Sequence, residues 1–402
     1  MNQRKQRLIQ LGLFILTLIL TTISGAEWMY ARSLIYSFEP LTFSEVLSGL
    51  EYSIPFLLIL TVHEFGHYFM AQYHKVKVTL PFYIPLWLGF IGAPSIGTMG
   101  AFIAIQQKRM TKKQYFDIGV AGPLAGFVVA LAVIFYGFSN LPEPEHIFEI
   151  HPEYEFFGKD YEQYVYDADT FFTKTQYEQK LGKPAKDYWL DTVRVGNVEG
   201  GLSLGNNLIY MWFTENVAEQ PQLVPNPFEL FHYPWLFAGY LALFFTALNL
   251  LPIGQLDGGH VVFGLFGYKR HKIISLSLFS LFVFYAGLGL INPYMPFDDL
   301  IWYIPMYVLG LLFVFQSASK NLLTKLTFAI SIFSGQFIIA YFNPTIEGYS
   351  GWLFFAFILG RFLGLKHPPA VDNEPLDNKR KIIGWLALLV FVLSFSPSPF
   401  SA

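Results

Sequence analysis

What most limits this chain is a succession of long apolar runs with hardly a charge in them. A helix needs about 20 mostly apolar residues to cross the hydrocarbon core of a bilayer. Nine stretches approach that length: 8–24, 54–73, 118–138, 234–256, 273–291, 300–316, 326–342, 347–363 and 381–396. The last four are short or broken by Gly and Pro. Only 14% of the residues are charged and 53% are hydrophobic, against about a quarter charged in a soluble chain. The polar surface is too small to cover a soluble protein of this size, so the expected surroundings are a lipid bilayer. The expected fold class is an all-α polytopic membrane protein with about nine transmembrane helices. A net charge of −3 gives no reason to expect a nucleic-acid partner. With no Cys, there are neither disulfides nor thiolates, and any metal must be held by His and carboxylate.

Residues 78–107 contain no charge and could pass for a further span. Pro81, Pro85, Gly89, Gly92, Pro94, Gly97 and Gly100 interrupt any helix there. Lys75 and Lys77 precede the stretch, and Lys108, Arg109, Lys112 and Lys113 follow it. Basic clusters at both ends put both ends on the cytoplasmic side. The stretch is therefore expected to be a re-entrant, strand-like loop. With that choice the charges agree along the chain. Arg4, Lys5 and Arg7 place the N-terminus inside, and the Glu-rich loop 25–53 lies outside. Lys269-Arg270-His271-Lys272 and 364–380 fall inside, and Ser394–Ala402 emerges outside. The first run, with Arg4–Arg7 before it and Ser24-Gly25-Ala26 after it, has the layout of a signal peptide, but its apolar core is long enough to favour a retained anchor.

Five regions follow: an anchor and outer loop (1–53), a core bearing the first motif (54–138), a polar insert (139–233), a core helix (234–267) and a C-terminal helical region (268–402). The insert holds 16 acidic and 6 basic side chains, a net −10. It is expected to be a solvated extracytoplasmic cap. Within it Tyr161–Leu181 looks like one amphipathic helix, and Leu202–Val217 is apolar enough to rest on a membrane surface.

The second run reads Thr61-Val62-His63-Glu64-Phe65-Gly66-His67. Histidines at i and i+4 share one helix face and can share one tetrahedral metal. Glu64 lies beside them, where a carboxylate can take a proton from an attacking water. Ionisable groups in mid-span cost on the order of 2–3 kcal/mol unless paired, and coordination offsets that cost. A zinc enzyme needs a third protein ligand and an open fourth position. His74 sits seven residues beyond His67 among basic residues and is expected to be solvated. Asp257 is the better candidate. Pro252 and Gly254 break the fourth run just before it, which leaves Asp257-Gly258-Gly259 on an unwound stretch such as lines polar cavities in membranes. His260, one turn further on, is expected to cap or to be solvated rather than to support the metal.

These motifs, in this order, resemble the site-2 protease family of intramembrane zinc metalloproteases. The resemblance extends to Phe116-Asp117-Ile118-Gly119-Val120-Ala121-Gly122-Pro123, similar to the family's third core helix. Thr246-Ala247-Leu248-Asn249 leading into Gln255-Leu256-Asp257-Gly258-Gly259-His260 is similar to its fourth, especially in the branch shared by bacteria, archaea and plastids. The similarity covers roughly 54–267, apart from the insert. It implies that His63, His67 and Asp257 ligate one Zn2+ per chain and that Glu64 is the general base. It also implies a transmembrane protein substrate, unwound and cut within or near the bilayer in regulated proteolysis. The family's strand-forming loop corresponds to 92–104, so Gly97, Gly100 and Asn249 are the expected substrate-binding residues. A bacterial cytoplasmic membrane is the expected location. Two other readings place the same residues in the membrane: a proton- or ion-coupled transporter, and an inactive zinc-binding homologue. No inverted repeat is apparent for the first, and the presence of Glu64 argues against the second. Gly122 and Gly126, four apart, are expected only to permit close helix packing.

Overall fold

The computed structural model describes residues 3–107, 109–166, 170–195, 202–218 and 220–401. Lys108 of the flanking basic cluster lies outside them. The chain is mostly helical, and a helix falls in each of the nine apolar runs, though several stop short of the run's end: α1 (Gln3–Met29), α2 (Leu50–Tyr73), α3 (Lys112–Ser139), α4 (Pro234–Leu250), α5 (Asp257–Ala286), α6 (Phe297–Val314), α7 (Leu322–Phe342), α8 (Gly351–Ile358) and α9 (Asn378–Ser394). Among the described residues, five helical segments are long and apolar enough to cross a membrane: α1, Phe43–Tyr73 (which includes α2), α3, α6 and α7. The remaining four helices are shorter or interrupted. Gly267, with φ +76°, breaks α5, and a π turn at Leu359–Leu363 ends α8.

Helices α2, α3 and α4 form the centre of the bundle. Tyr52, Phe56 and Ile59 pack there with Ala130, Val133, Ile134, Phe138 and Phe237. Lipid tails are as apolar as Leu, so close packing rather than expulsion from water holds such helices together. On α6 the exposed side chains Ile301, Trp302, Met306, Leu309 and Phe313 form an apolar outer face, which suits contact with lipid.

The uncharged stretch 78–107 contains a hairpin. Strands β1 (Phe82–Pro85) and β2 (Thr98–Phe102) pair antiparallel, with Phe82 opposite Phe102, Tyr83 opposite Ala101 and Pro85 opposite Thr98. A bridge between Val78 and Ile105 extends the pair. Gln10 Nε2 of α1 donates to the Leu80 carbonyl at 2.6 Å, and the Thr61 and Tyr83 hydroxyls meet at 2.7 Å. The hairpin is thereby tied to α1 and α2.

The insert departs from its expected layout. Tyr161–Leu181 is not one helix: a short helix at Tyr161–Val165 and another at Lys174–Leu181 are separated by a strand, Thr170–Thr173, which pairs with Thr192–Val195. The physical reason is Thr173, which ends the strand and caps the second helix in a capping box with Gln176. An aromatic core of Tyr154, Phe172 and Tyr177 with Ile147, Val165 and Val195 holds the insert together, so it is a packed unit rather than only a solvated cap. The apolar segment 202–217 forms a helix at Leu208–Asn216 that buries Ile209, Tyr210 and Phe213 and exposes Leu208, Met211 and Trp212. At the chain's end Phe400–Ser401 pairs with Ser203–Leu204 of the insert. At another corner Lys113 Nζ meets Glu374 at 3.0 Å and the Lys112 amide donates to Asp372, joining the start of α3 to the stretch 364–380.

Candidate metal centre

His63 and His67 project from one face of α2, as their spacing requires. Their Nε2 atoms lie 3.0 Å apart. Asp257 reaches the same point from the first turn of α5, its Oδ2 3.2 Å from His67 Nε2 and 3.6 Å from His63 Nε2. One ligand atom from each residue fits within 4.8 Å of the others. The chain arrives there by a reversal: α4 ends at Leu250, residues 251–256 turn, and α5 starts at Asp257 itself. Asp257 thus opens a helix instead of lying on an unwound stretch; the break falls entirely before it.

His67 Nδ1 donates to the Ile118 carbonyl at 2.7 Å. That bond places the ring's proton on Nδ1 and leaves the Nε2 lone pair facing the cluster. Helix α3 supplies this carbonyl and also the space the rings need. A Cβ at Gly122 would stand 2.2 Å from His67 Nε2, and one at Gly126 would stand 3.0 Å from His63 Cβ. The two glycines therefore abut the two imidazoles, beyond permitting helix contact in general. Two buried imidazole nitrogens and a half-buried carboxylate, converging with one proton held outside, form a donor set suited to zinc.

The cluster lines a cavity of ≈ 390 Å³. Glu64, 5% exposed, and Asn249 line it too. So does β2 with its continuation, from Met99 to Ile103, and the Ile103 backbone lies beside the Glu64 carboxylate. Gly100, at φ +105°, borders the cavity with open space where a side chain would project. Gly97 is elsewhere: it is buried against Thr21 of α1, where a Cβ would come within 2.3 Å of the Thr21 Cα. Of the expected residues, the structure brings together His63, His67, Asp257, Glu64, Asn249 and Gly100, and leaves Gly97 at the α1 contact.

Three other histidines also differ from expectation. His74 is not solvated but hydrogen-bonds Asp117 at 2.7 Å. Arg380 of α9 grips the same carboxylate through Nε and Nη2, at 2.8 and 2.7 Å. His260 does not cap: half-buried, it borders the same cavity, its Nδ1 lies 2.7 Å from His367 Nε2, and its ring stacks on Tyr115. His271, read from the sequence as part of an inside loop, is fully buried in α5 and reaches the Gly254 carbonyl at 3.2 Å. Its burial supports the turn that delivers Asp257. Sequence reasoning missed the Ile118 carbonyl and His367. A faint signal existed for α3, where Gly119, Gly122 and Gly126 recur at helical spacing on one side.

Residues 51–291 match the family described as Peptidase family M50. The "Probable zinc metalloprotease EGY1, chloroplastic" of Oryza sativa subsp. japonica is 26% identical over 247 residues, 61% of this chain and 32% of that protein. The "Probable zinc metalloprotease EGY2, chloroplastic" of Oryza sativa subsp. indica is 26% identical over 245 residues, 61% of this chain and 33% of its own length. The "Probable zinc metalloprotease EGY1, chloroplastic" of Arabidopsis thaliana is 29% identical over 224 residues, 55% of this chain and 30% of its own. The matched stretch thus spans about a third of these curated relatives. No solved structure matches.

Proposed function

The chain belongs to peptidase family M50, the site-2 protease family, and from that premise we propose that it is an intramembrane zinc metalloprotease that hydrolyses peptide bonds within or near transmembrane segments of membrane proteins, in regulated proteolysis. One observation carries this reading: His63 and His67 from α2 and Asp257 from α5, far apart in sequence, converge in a cavity that Glu64 also lines. These three residues would hold one zinc, which when bound supplies the Lewis acidity that peptide hydrolysis needs. Glu64 is the general base. Its carboxylate takes a proton from the attacking water and returns it to the leaving amine. Asn249, on the cavity wall, would donate from its amide to a substrate carbonyl.

The strand β2 supports a binding mode. A substrate helix must unwind before its backbone can be cut, and its freed amides and carbonyls need partners where water is scarce. An extended segment lying along Met99–Ile103 would find them by β-augmentation. In this reading the hairpin is re-entrant, nine helices cross the bilayer with the N-terminus on the cytoplasmic side, and the enzyme resides in a bacterial cytoplasmic membrane.

The test is cleavage of a reporter membrane protein by the full chain in proteoliposomes. Glu64→Gln is expected to keep its zinc and to lose about 10²–10⁴-fold in rate. A variant that cleaves as fast as the parent overturns the general-base assignment. Substrate left intact by the zinc-loaded parent, together with cation flux across the same vesicles, would instead favour a transporter.

A further inference from the structure

A second convergence of imidazoles and a carboxylate lies in and below the insert. His151 follows a short helix (His146–Ile150), and Glu229 precedes and His232 ends a single 3-10 turn just before α4. His151 Nε2 and His232 Nε2 face each other at 3.2 Å. Glu229 Oε2 lies 3.3 Å from His232 Nε2 and 3.7 Å from His151 Nε2. Here too one ligand atom per residue fits within 4.8 Å of the others.

The surroundings hold each group in a ligating state. His232 Nδ1 donates to the backbone carbonyls of Trp28 and Met29, at 2.9 and 3.1 Å. His151 Nδ1 donates to Glu153 at 3.2 Å. Both protons therefore sit on Nδ1, and two Nε2 lone pairs point at one another, which is repulsive unless a cation or a proton lies between them. The Tyr166 hydroxyl donates to Glu229 Oε1, leaving Oε2 for the cluster. Glu229 and His232 are 3% and 6% exposed, so the charge is not left to water.

We propose that His151, His232 and Glu229 bind a second divalent cation of the zinc class, separate from the centre formed by His63, His67 and Asp257. Two imidazoles and one carboxylate make a three-ligand set. The fourth position opens on a cavity of ≈ 380 Å³ walled by Trp28, Tyr154, Phe228 and Phe231, which shares no lining residue with the first. All three ligands lie in the insert, two of them just before α4, and the carbonyls behind His232 come from the end of α1. The ion would tie the two ends of the insert together beside the end of α1.

Zinc content of the purified full chain tests this, after loading with zinc and gel filtration to remove loose metal. The parent is expected to hold about two zinc ions per chain and the variant His63→Ala/His67→Ala about one. His151→Gln/His232→Gln is expected to hold about one, and the combination of all four changes close to none. A His63→Ala/His67→Ala protein that holds no zinc overturns the proposal, whatever becomes of the protease reading. If the His151 and His232 changes prevent folding, zinc-edge X-ray absorption on His63→Ala/His67→Ala decides. Two imidazole nitrogens at about 2.0–2.1 Å are expected, and a shell without imidazole overturns the site.

Discussion

Two clusters in this chain have nearly the same inner geometry and different means of support. In the helical core the imidazole nitrogens stand 3.0 Å apart with a carboxylate oxygen 3.2 Å from the nearer one; in the insert the corresponding distances are 3.2 and 3.3 Å. The first is carried by helices. Its outer layer is a backbone carbonyl, from Ile118, and two glycines on the neighbouring helix. The second is carried by a turn and a loop, and its outer layer includes the side chains of Glu153 and Tyr166. Irregular backbone is costly in lipid, so a centre there is best built from helical spacing and helix–helix contact. Where polar partners are at hand, a turn with side-chain support serves as well. The first centre should therefore respond to changes in helix packing, and the second to changes in single hydrogen bonds.

The largest effect is expected at Asp257. Replacement by Ala removes the one proposed ligand from α5, and several kcal/mol of transition-state stabilisation should go with it, on the order of 10³-fold in cleavage rate. Cleavage in proteoliposomes measures this; a loss of less than tenfold would mean that the two histidines suffice. Packing comes next. Gly122→Ala sets a methyl 2.2 Å from His67 Nε2 with α3 backbone behind it, so zinc affinity and rate should both fall by about 10–100-fold. Gly126→Ala meets His63 only at 3.0 Å and should cost less. If the two are reversed in order, α3 does not hold the centre in the way its contacts suggest.

The difference in support also explains what could be read before the fold was seen. The i, i+4 histidines announce a metal because a helix has one period, and Asp257 follows because Pro252 and Gly254 visibly break the run before it. The carbonyl of Ile118 is invisible in sequence, since every residue has one. His74 and His260 were misjudged because their partners, Asp117 with Arg380 and His367, come from elements remote in the chain. The cluster at His151 was missed for the same reason: 81 residues separate it from His232. Glu229-Leu230-Phe231-His232 was the available signal, a carboxylate and an imidazole three apart in a polar, aromatic-rich segment. The insert's single-helix expectation failed because a helical pattern of apolar residues does not register Thr173, whose cap starts a new element.

The frame around the first centre offers a smaller, structural effect. Asp117 is 6% exposed and joins His74, just past the end of α2, to Arg380 of α9. Asp117→Asn keeps the shape and removes the charge, leaving Arg380 with Asp377 as its remaining partner. A loss of about 2 kcal/mol is expected, read as a lower unfolding midpoint of the detergent-solubilised chain, with the zinc content of the insert site unchanged. A midpoint equal to the parent's would show that the ion network is not what fixes the ends of α2, α3 and α9.

The smallest change sharpens the comparison most. Tyr166→Phe deletes one hydroxyl and keeps the ring, which stacks on Phe228 with centroids 5.2 Å apart. What is lost is the donor to Glu229 Oε1, and with it the restraint that turns Oε2 toward the two imidazoles. Outer-layer donors of this kind change metal affinity by about tenfold at the low end. On a His63→Ala/His67→Ala background, zinc-buffered titration reads the second site alone, and the dissociation constant should rise by about that factor. The first centre offers no equivalent substitution, because its donor geometry rests on a peptide carbonyl that no side-chain change removes. An unaltered dissociation constant would mean that Glu229 is positioned by the 3-10 turn itself. The two sites would then share a mode of support, and the contrast between a packed centre and a hydrogen-bonded one would fail.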